Sequence, residues 1–183
     1  AAYQFESFVK SFPKSEKLDE ANFMIAKCYY MLSPIYSLDQ ENTNQAIEKL
    51  QIFIDNYPKS VYLSAANSFI RELQVKLEKK DFEISKQYYT IRDYKAAISS
   101  LDNFISNFPG TPFRENALYY KFISQYEIAI NSVPNKKLVR LEGAKETYIA
   151  ILRYYPETLF MEDIVEKIED INKQIEAINK TNT

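Results

Sequence analysis

The sequence predicts an all-α protein, a right-handed α-solenoid built from repeated helix pairs. The chain of 183 residues contains only two glycines, whereas strands joined by tight turns usually need glycine because it adopts positive φ at little steric cost. A pattern of alanine, large apolar residues and an aromatic–proline pair also occurs four times along the chain. A long pattern that recurs in this way is typical of solenoid proteins.

An aromatic residue followed by proline closes each copy of the repeat. The four pairs are Phe12-Pro13, Tyr57-Pro58, Phe108-Pro109 and Tyr155-Pro156. Alanine stands twelve positions before each proline, and large apolar residues stand eight, five and four positions before it. These spacings place the alanine and the apolar residues on one face of a helix. Because proline disfavours helical geometry in the preceding residue, we expect each helix to end at the pair.

Residue types also recur at two positions that follow each proline. A hydroxyl residue stands two positions after it, and alanine stands eight positions after it in three copies, with isoleucine in the fourth. The hydroxyl residues are Ser15, Ser60, Thr111 and Thr158, and the later residues are Ala21, Ala66, Ala117 and Ile164. A hydroxyl at this place is expected to cap the next helix by accepting a backbone N–H.

The repeat gives a layout of one domain over residues 1–183, with N-terminal repeats over 1–77 and C-terminal repeats over 78–183. Helices are predicted at 1–12, 17–32, 42–57, 61–77, 79–91, 94–108, 114–131, 138–155 and 160–179. The polar segments 33–43 and 131–137 are predicted to be loops. Consecutive helices with short connections are expected to pack antiparallel.

The composition argues against several classes of protein. The chain has no histidine, which removes Ser-His-Asp and Cys-His arrangements and most zinc sites. Two distant glycines cannot form a phosphate-binding loop, and a net charge of −2 does not favour general nucleic-acid binding. We therefore expect no catalytic, metal or cofactor-binding residues. The carboxylates of the last helix are expected to be solvated: Glu162, Asp163, Glu166, Glu169 and Asp170.

Tyrosines supply the candidate peptide-binding residues. Tyr29, Tyr30 and Tyr36 lie in or just after the first helix of a pair, and such helices line the concave surface of a solenoid. Adjacent tyrosines cannot both point inward, so about half of the chain's clustered tyrosines are expected in the core. The others are predicted to bind peptides, because tyrosine makes contacts at little entropic cost.

The last predicted helix carries candidate partner-binding residues. Five isoleucines recur at spacings of four and three, the pattern of a helix–helix seam: Ile164, Ile168, Ile171, Ile175 and Ile178. The first three are expected to pack on helix 138–155. Ile175 and Ile178 are expected to extend past it and to bind another protein, the alternative being that the whole stripe folds back onto the solenoid. Lys136 and Lys137 are further candidates for partner binding, and the alternative for these and for the lysines of segment 76–80 is a solvated helix end.

The segment from Asp81 to Pro109 carries the most specific motif. It reads E-x-x-x-x-Y-Y-x-x-x-x-Y-x-A-A-I over residues 83–98 and also has the tetratricopeptide spacing, with Ser85 in place of the usual glycine. The matching residues are Glu83, Tyr88, Tyr89, Tyr94, Ala96, Ala97, Ile98, Leu101 and Pro109. With the segments around Phe8–Tyr30 and Thr43–Ala66, nearly the whole chain resembles the BamD family. These are tetratricopeptide lipoproteins of the outer-membrane β-barrel assembly machinery.

The resemblance implies a non-enzymatic scaffold at the periplasmic face of the outer membrane. It implies docking to a BamA-like barrel protein and to other subunits, and receipt of unfolded outer-membrane proteins by the N-terminal repeats. It also implies a lipidated N-terminal cysteine as the link to the membrane, which we expect on an upstream segment because Cys28 lies within a helical pattern. The alternatives are another periplasmic tetratricopeptide adaptor, such as one acting in envelope constriction, and an enzyme or its regulatory module.

Overall fold

The computed structural model describes residues 1–181, which form helices joined by short connections. In chain order the helices are α1 (Ala2–Ser11), α2 (Leu18–Leu32), α3 (Glu41–Asn56), α4 (Leu63–Thr90), α5 (Tyr94–Asn107), α6 (Arg114–Ile130), α7 (Pro134–Tyr154) and α8 (Met161–Thr181). These residues contain no strand, so the all-α prediction is confirmed. No helix within residues 1–181 has the length and apolar character needed to cross a membrane.

The chain divides into two compact units, Ala1–Lys80 (unit 1) and Asp81–Thr183 (unit 2). The boundary falls within α4. The core of unit 1 joins α2, α3 and the first part of α4 around Phe23, Leu50 and Leu73. The largest core of unit 2 joins α6, α7 and α8 around Phe122, Leu141 and Ile164. The single right-handed solenoid stays a prediction.

The aromatic–proline pairs end helices as predicted. α1, α3, α5 and α7 each end at the residue before the aromatic one. The aromatic residue still donates its backbone N–H to the carbonyl four positions earlier, but its ψ lies between 60° and 68°, outside the helical range. The following proline has no N–H to continue the helix and excludes helical geometry in the residue before it.

The hydroxyl residues after each pair hold a turn in front of the next helix. Ser15, Ser60, Thr111 and Thr158 each accept the backbone N–H two residues later, at 3.0 to 3.3 Å. The helices begin three residues after these hydroxyls. The hydroxyls therefore organise the turn that leads into each helix, two residues before the capping position. They accept a backbone N–H as predicted, but the prediction that they cap the helix was wrong.

The alanines of the repeat lie at close helix contacts. Ala46, Ala97 and Ala144 have no exposed surface, and neither have Leu50 and Leu101 four residues later. A methyl side chain allows the facing helix to approach closely, and the following large residues fill the space beside it. The copy in α1 differs, since α1 has no buried residue and its extensive contacts within the described chain are with α2.

Two predicted boundaries were wrong. The helices predicted at 61–77 and 79–91 are one helix, α4, because this segment contains neither glycine nor proline and its lysines and glutamates favour helix. The predicted loop 131–137 is mostly helical, since α7 begins at Pro134. Proline suits the first position of a helix, where its missing N–H would have no partner.

Candidate protein-binding surfaces

The adjacent residues Tyr29 and Tyr30 face different neighbours. The Tyr29 hydroxyl donates to Glu6 Oε1 of α1 at 3.3 Å, and the negative charge of Glu6 raises the pKa of Tyr29. The Tyr30 ring stacks on Phe69 of α4, with centroids 4.1 Å apart. Its hydroxyl donates to Glu72 Oε2 at 2.5 Å, and this hydrogen bond raises the pKa of Tyr30. The two tyrosines therefore do not form one surface.

Tyr36 lies on the side of α4 that Tyr30 also contacts. It belongs to the connection between α2 and α3, and the ammonium of Lys79 in α4 lies 4.5 Å from the centre of its ring. Residues 72 and 79 are seven apart and occupy the same face of α4. The structure thus brings Tyr30 and Tyr36 to one side of unit 1 and leaves Tyr29 beside α1.

The connection over residues 33–40 is organised around Gln40. This side chain is buried, and its Nε2 donates to the carbonyls of Ile35 at 2.8 Å and Leu38 at 2.9 Å. Its Oε1 accepts a hydrogen bond from Thr43 Oγ1 at 2.8 Å. Gln40 therefore adds a second hydrogen bond to the Ile35 carbonyl, which also accepts the Leu38 N–H at 3.2 Å, and the polar insert predicted here is a defined loop.

Lysines of α4 hold this loop from outside. Lys76 Nζ donates to Ser33 Oγ at 2.7 Å, and Lys80 Nζ donates to the carbonyl of Leu38 at 2.6 Å. Lys79 contributes the contact with the Tyr36 ring. The interpretation of segment 76–80 as a solvated helix end was wrong, because Lys76 and Lys80 donate hydrogen bonds to loop residues that lie 43 and 42 positions earlier in the sequence.

The end of α2 and the loop that follows it present apolar side chains to solvent. Met31, Leu32, Ile35 and Leu38 are 72%, 59%, 65% and 57% exposed, and we call these four residues the loop patch. Clustered exposed apolar side chains usually mark an interaction site. The patch was not predicted because residues 33–43 are mostly polar, although Ile35 and Leu38 are apolar residues within that segment.

Replacing Gln40 with Ala is expected to loosen the loop, because the carbonyls of Ile35 and Leu38 and the Thr43 hydroxyl each lose one hydrogen bond. Each lost hydrogen bond costs about 0.5–1.5 kcal/mol. The amides of residues 33–40 should exchange with solvent much faster, as measured by hydrogen–deuterium exchange. Gln45→Ala is the matched control, since the exposed Gln45 makes only a 3.4 Å bond to Glu41. Equal exchange in the two variants would contradict this account of the loop.

More residues of the α8 isoleucine seam pack against the core than predicted. Ile164, Ile168 and Ile171 are buried, as expected. Ile175 and Ile178, which were expected to pass beyond the partner helix, are half-buried and pack against the same core. The reason is that α7 begins at Pro134 rather than near residue 138, so it has one more turn with which to cover the end of α8.

A groove lies between the start of α7 and the end of α8. Its volume is about 640 Å³, and we call it the α7–α8 groove. It is lined by Pro134, Asn135, Lys137, Leu138, Val139, Ala177 and Ile178. Two of the predicted partner-binding residues, Lys137 and Ile178, therefore meet there. Lys136 is exposed and does not line the groove. Ile175 is half-buried and packs against the core.

Two of the α8 carboxylates that were expected to be solvated have a structural role instead. Asp163 accepts a hydrogen bond from the Tyr119 hydroxyl, and Asp170 accepts one from Tyr126, both at 2.9 Å. Burial, with the hydrogen bond to Asp170, raises the pKa of Tyr126 to about 12. Because both pairs are seven residues apart on their helices, they tie α6 to α8 at two successive levels. Within residues 1–181, no group of acidic or cysteine side chains is arranged to hold a metal ion.

Comparison with known proteins gives matches along the chain. The family model YfiO, described as outer membrane lipoprotein, matches residues 1–141 and again residues 86–179. Outer membrane protein assembly factor BamD of Buchnera aphidicola subsp. Acyrthosiphon pisum is 28% identical over 110 residues, covering 59% of this chain and 45% of the relative. Outer membrane protein assembly factor BamD of Caulobacter vibrioides is 31% identical over 88 residues, covering 48% of this chain and 28% of the relative. The matched segments span less than half the length of these curated relatives.

Proposed function

We propose, from the premise that this chain belongs to the YfiO family of outer membrane lipoproteins, that it is a non-enzymatic scaffold for outer-membrane protein assembly. In this role it docks a BamA-like barrel protein and helps insert β-barrel proteins into the outer membrane. The scaffold lies at the periplasmic face, held by an N-terminal lipid. The names of the two BamD relatives support the assembly role.

The observation that carries this proposal is the loop patch, four exposed apolar side chains at the end of α2 and on the loop that follows it, which is held by hydrogen bonds. If the loop served only to connect α2 and α3, holding its apolar side chains exposed to solvent would bring no gain in stability. A preorganised apolar surface, by contrast, loses little conformational entropy when a chain binds to it. We assign the patch to unfolded segments of outer-membrane proteins.

The surroundings of the loop patch define the peptide that fits it. Tyr30 and Tyr36 lie beside the patch and offer aromatic contacts. Lys76, Lys79 and Lys80 border the loop with three positive charges, which favour carboxylates. An extended segment that combines apolar or aromatic side chains with a carboxylate, including a C-terminal one, matches these features. Tyr29, directed towards Glu6, lies apart from this peptide site.

The α7–α8 groove is proposed to dock the barrel component. Its lining combines the apolar Leu138, Val139 and Ile178 with the ammonium of Lys137. Lys136 adds a second exposed charge at the edge, and Ile175 supports the groove from the core below. Such a surface suits a partner that presents an apolar side chain next to a carboxylate.

Peptide labelling tests the assignment of the loop patch. A peptide from the C-terminal end of an outer-membrane barrel protein, carrying a photoreactive phenylalanine analogue, is expected to label residues 31–38 of the purified chain. Leu38→Asp should reduce the labelling several-fold because it places a carboxylate in the apolar surface.

The matched control is Val61→Asp, which makes a similar change at another strongly exposed apolar residue of unit 1 and should leave labelling intact. Mass spectrometry of proteolytic fragments locates the label. Labelling confined to residues 81–181, or equal labelling of both variants, would refute the peptide site.

A further inference from the structure

A second groove in unit 2 lies between α5 and α7, above the floor formed by α6. Its volume is about 600 Å³, and we call it the α5–α7 groove. Ile98 and Ile128 supply its apolar surface, Lys95 and Arg140 its positive charges, and Ser99 and Gly143 its small residues. It shares no lining residue with the loop patch or the α7–α8 groove. A volume of this size is typical of binding sites.

Gly143 has no explanation within the fold of this chain. Its φ is not positive, so its backbone geometry does not require glycine. A Cβ built at this position would meet no atom within 4 Å, so internal packing does not require glycine either. Glycine inside a helix costs about 0.5–1 kcal/mol relative to alanine. The space that Gly143 leaves open adjoins the groove, and a backbone that approaches from outside would use it.

The charged residues that line the groove indicate which charge such a partner would carry. Lys95 projects from α5, and Arg140 from α7. Neither forms an ion pair with a carboxylate in the described part of the chain, and Arg140 donates instead to the neutral Ser132 hydroxyl at 2.6 Å. The lining carboxylate, Asp102, is already paired with Lys121 at 2.6 Å. Two positive charges at an apolar floor favour an acidic ligand.

We propose that the α5–α7 groove docks an acidic amphipathic helix of a partner protein. Its apolar face packs on Ile98 and Ile128, its backbone approaches at Gly143, and its carboxylates pair with Lys95 and Arg140. Helices in this fold already approach one another at residues with the smallest side chains, as at Ala97 and Ala144. This surface is additional to the two that the proposed function uses.

The test uses the purified chain and a defined probe. The probe is a 16-residue acetylated peptide amide of leucine, glutamate and alanine, with leucine at helical spacings on one face and glutamates beside it. A second peptide has lysine in place of every glutamate. Binding is followed by NMR shifts of the amides of α5, α6 and α7. The glutamate peptide is expected to bind at the groove, with affinity that falls as salt is added, and the lysine peptide is expected not to bind.

Substitutions at glycine separate docking from folding. Gly143→Ala is expected to raise the melting temperature of the free chain because alanine favours helix, yet to weaken binding of the glutamate peptide. Gly143→Leu should weaken binding by at least about tenfold. Gly110→Ala is the control, since a Cβ at Gly110 also meets nothing within 4 Å and Gly110 lies outside the groove. It should leave binding unchanged.

Three results of the peptide-binding experiments would overturn the proposal. These are unchanged binding to Gly143→Leu, equal binding of the two peptides, and absence of any shift in α5, α6 or α7. If sedimentation shows instead that the chain pairs with itself and that Gly143→Leu abolishes the pairing, the occupant is a second copy and the acidic-helix proposal is wrong. Binding of the glutamate peptide that survives in Gly110→Ala and is lost in Gly143→Leu supports it.

Discussion

Replacing Phe122 with Ala is expected to lower the free energy of unfolding by about 3–5 kcal/mol. Phe122 lies in α6, has no exposed surface, and belongs to the core cluster that contains Leu141 of α7 and Ile164 of α8. Removal of its ring takes away contacts with both neighbouring helices at once. The cavity that remains cannot close without moving helices that the Tyr119–Asp163 and Tyr126–Asp170 hydrogen bonds also hold.

Chemical denaturation followed by circular dichroism measures this loss. Phe12→Ala is the matched control, because it removes the same side chain where 58% of it is exposed, and it should cost less than about 1 kcal/mol. If Phe122→Ala and Phe12→Ala unfold at similar denaturant concentrations, α6 is not the centre of the core in unit 2.

Replacing Val139 with Asp is expected to weaken docking of the barrel component by about tenfold or more. Val139 is 71% exposed, so the substitution should leave the fold of the free chain intact. In the docked complex the new carboxylate would be buried beside Leu138 and Ile178 without a fixed partner. A buried unpaired charge of this kind is among the most unfavourable changes at an interface.

Isothermal titration with the purified periplasmic domains of the barrel component measures the docking. Ile149→Asp provides the control, since Ile149 is also an exposed apolar residue of α7 but does not line the α7–α8 groove. Both variants should melt at the temperature of the unchanged protein. Equal affinities of the two variants would remove the α7–α8 groove from the docking site.

Features that depend on neighbours in sequence were predictable. The helix ends at Phe108 and Tyr155 follow from the conformational limits that the next proline imposes. The burial of Ala97 and Leu101 follows from their helical spacing, because residues four apart share a face. The BamD-like family, predicted mainly from the motif over residues 83–98, is confirmed by the family model.

Helix lengths were less predictable where no breaker residue was present. The run of lysines at 76–80 led to the prediction of a helix end, although charged residues continue a helix as readily as they end one. Pro134 led to the prediction of a loop, although proline is as compatible with the first turn of a helix. The first error divided α4 into two helices. The second error placed the start of α7 about one turn too late, so the packing of α7 against Ile175 and Ile178 was not predicted.

The sequence by itself determined that this protein is all helical, where most helices stop, and which alanines lie at helix contacts, because backbone geometry and helical spacing are local. The tertiary structure alone decided the candidate sites. Tyr29 and Tyr30 are neighbours in the chain, but Glu6 and Glu72 draw them to different sides. Lys76 and Lys80 hold a loop from 42 or more residues away. Such contacts depend on which distant helix faces are brought together, and helical periodicity contains no information about that pairing.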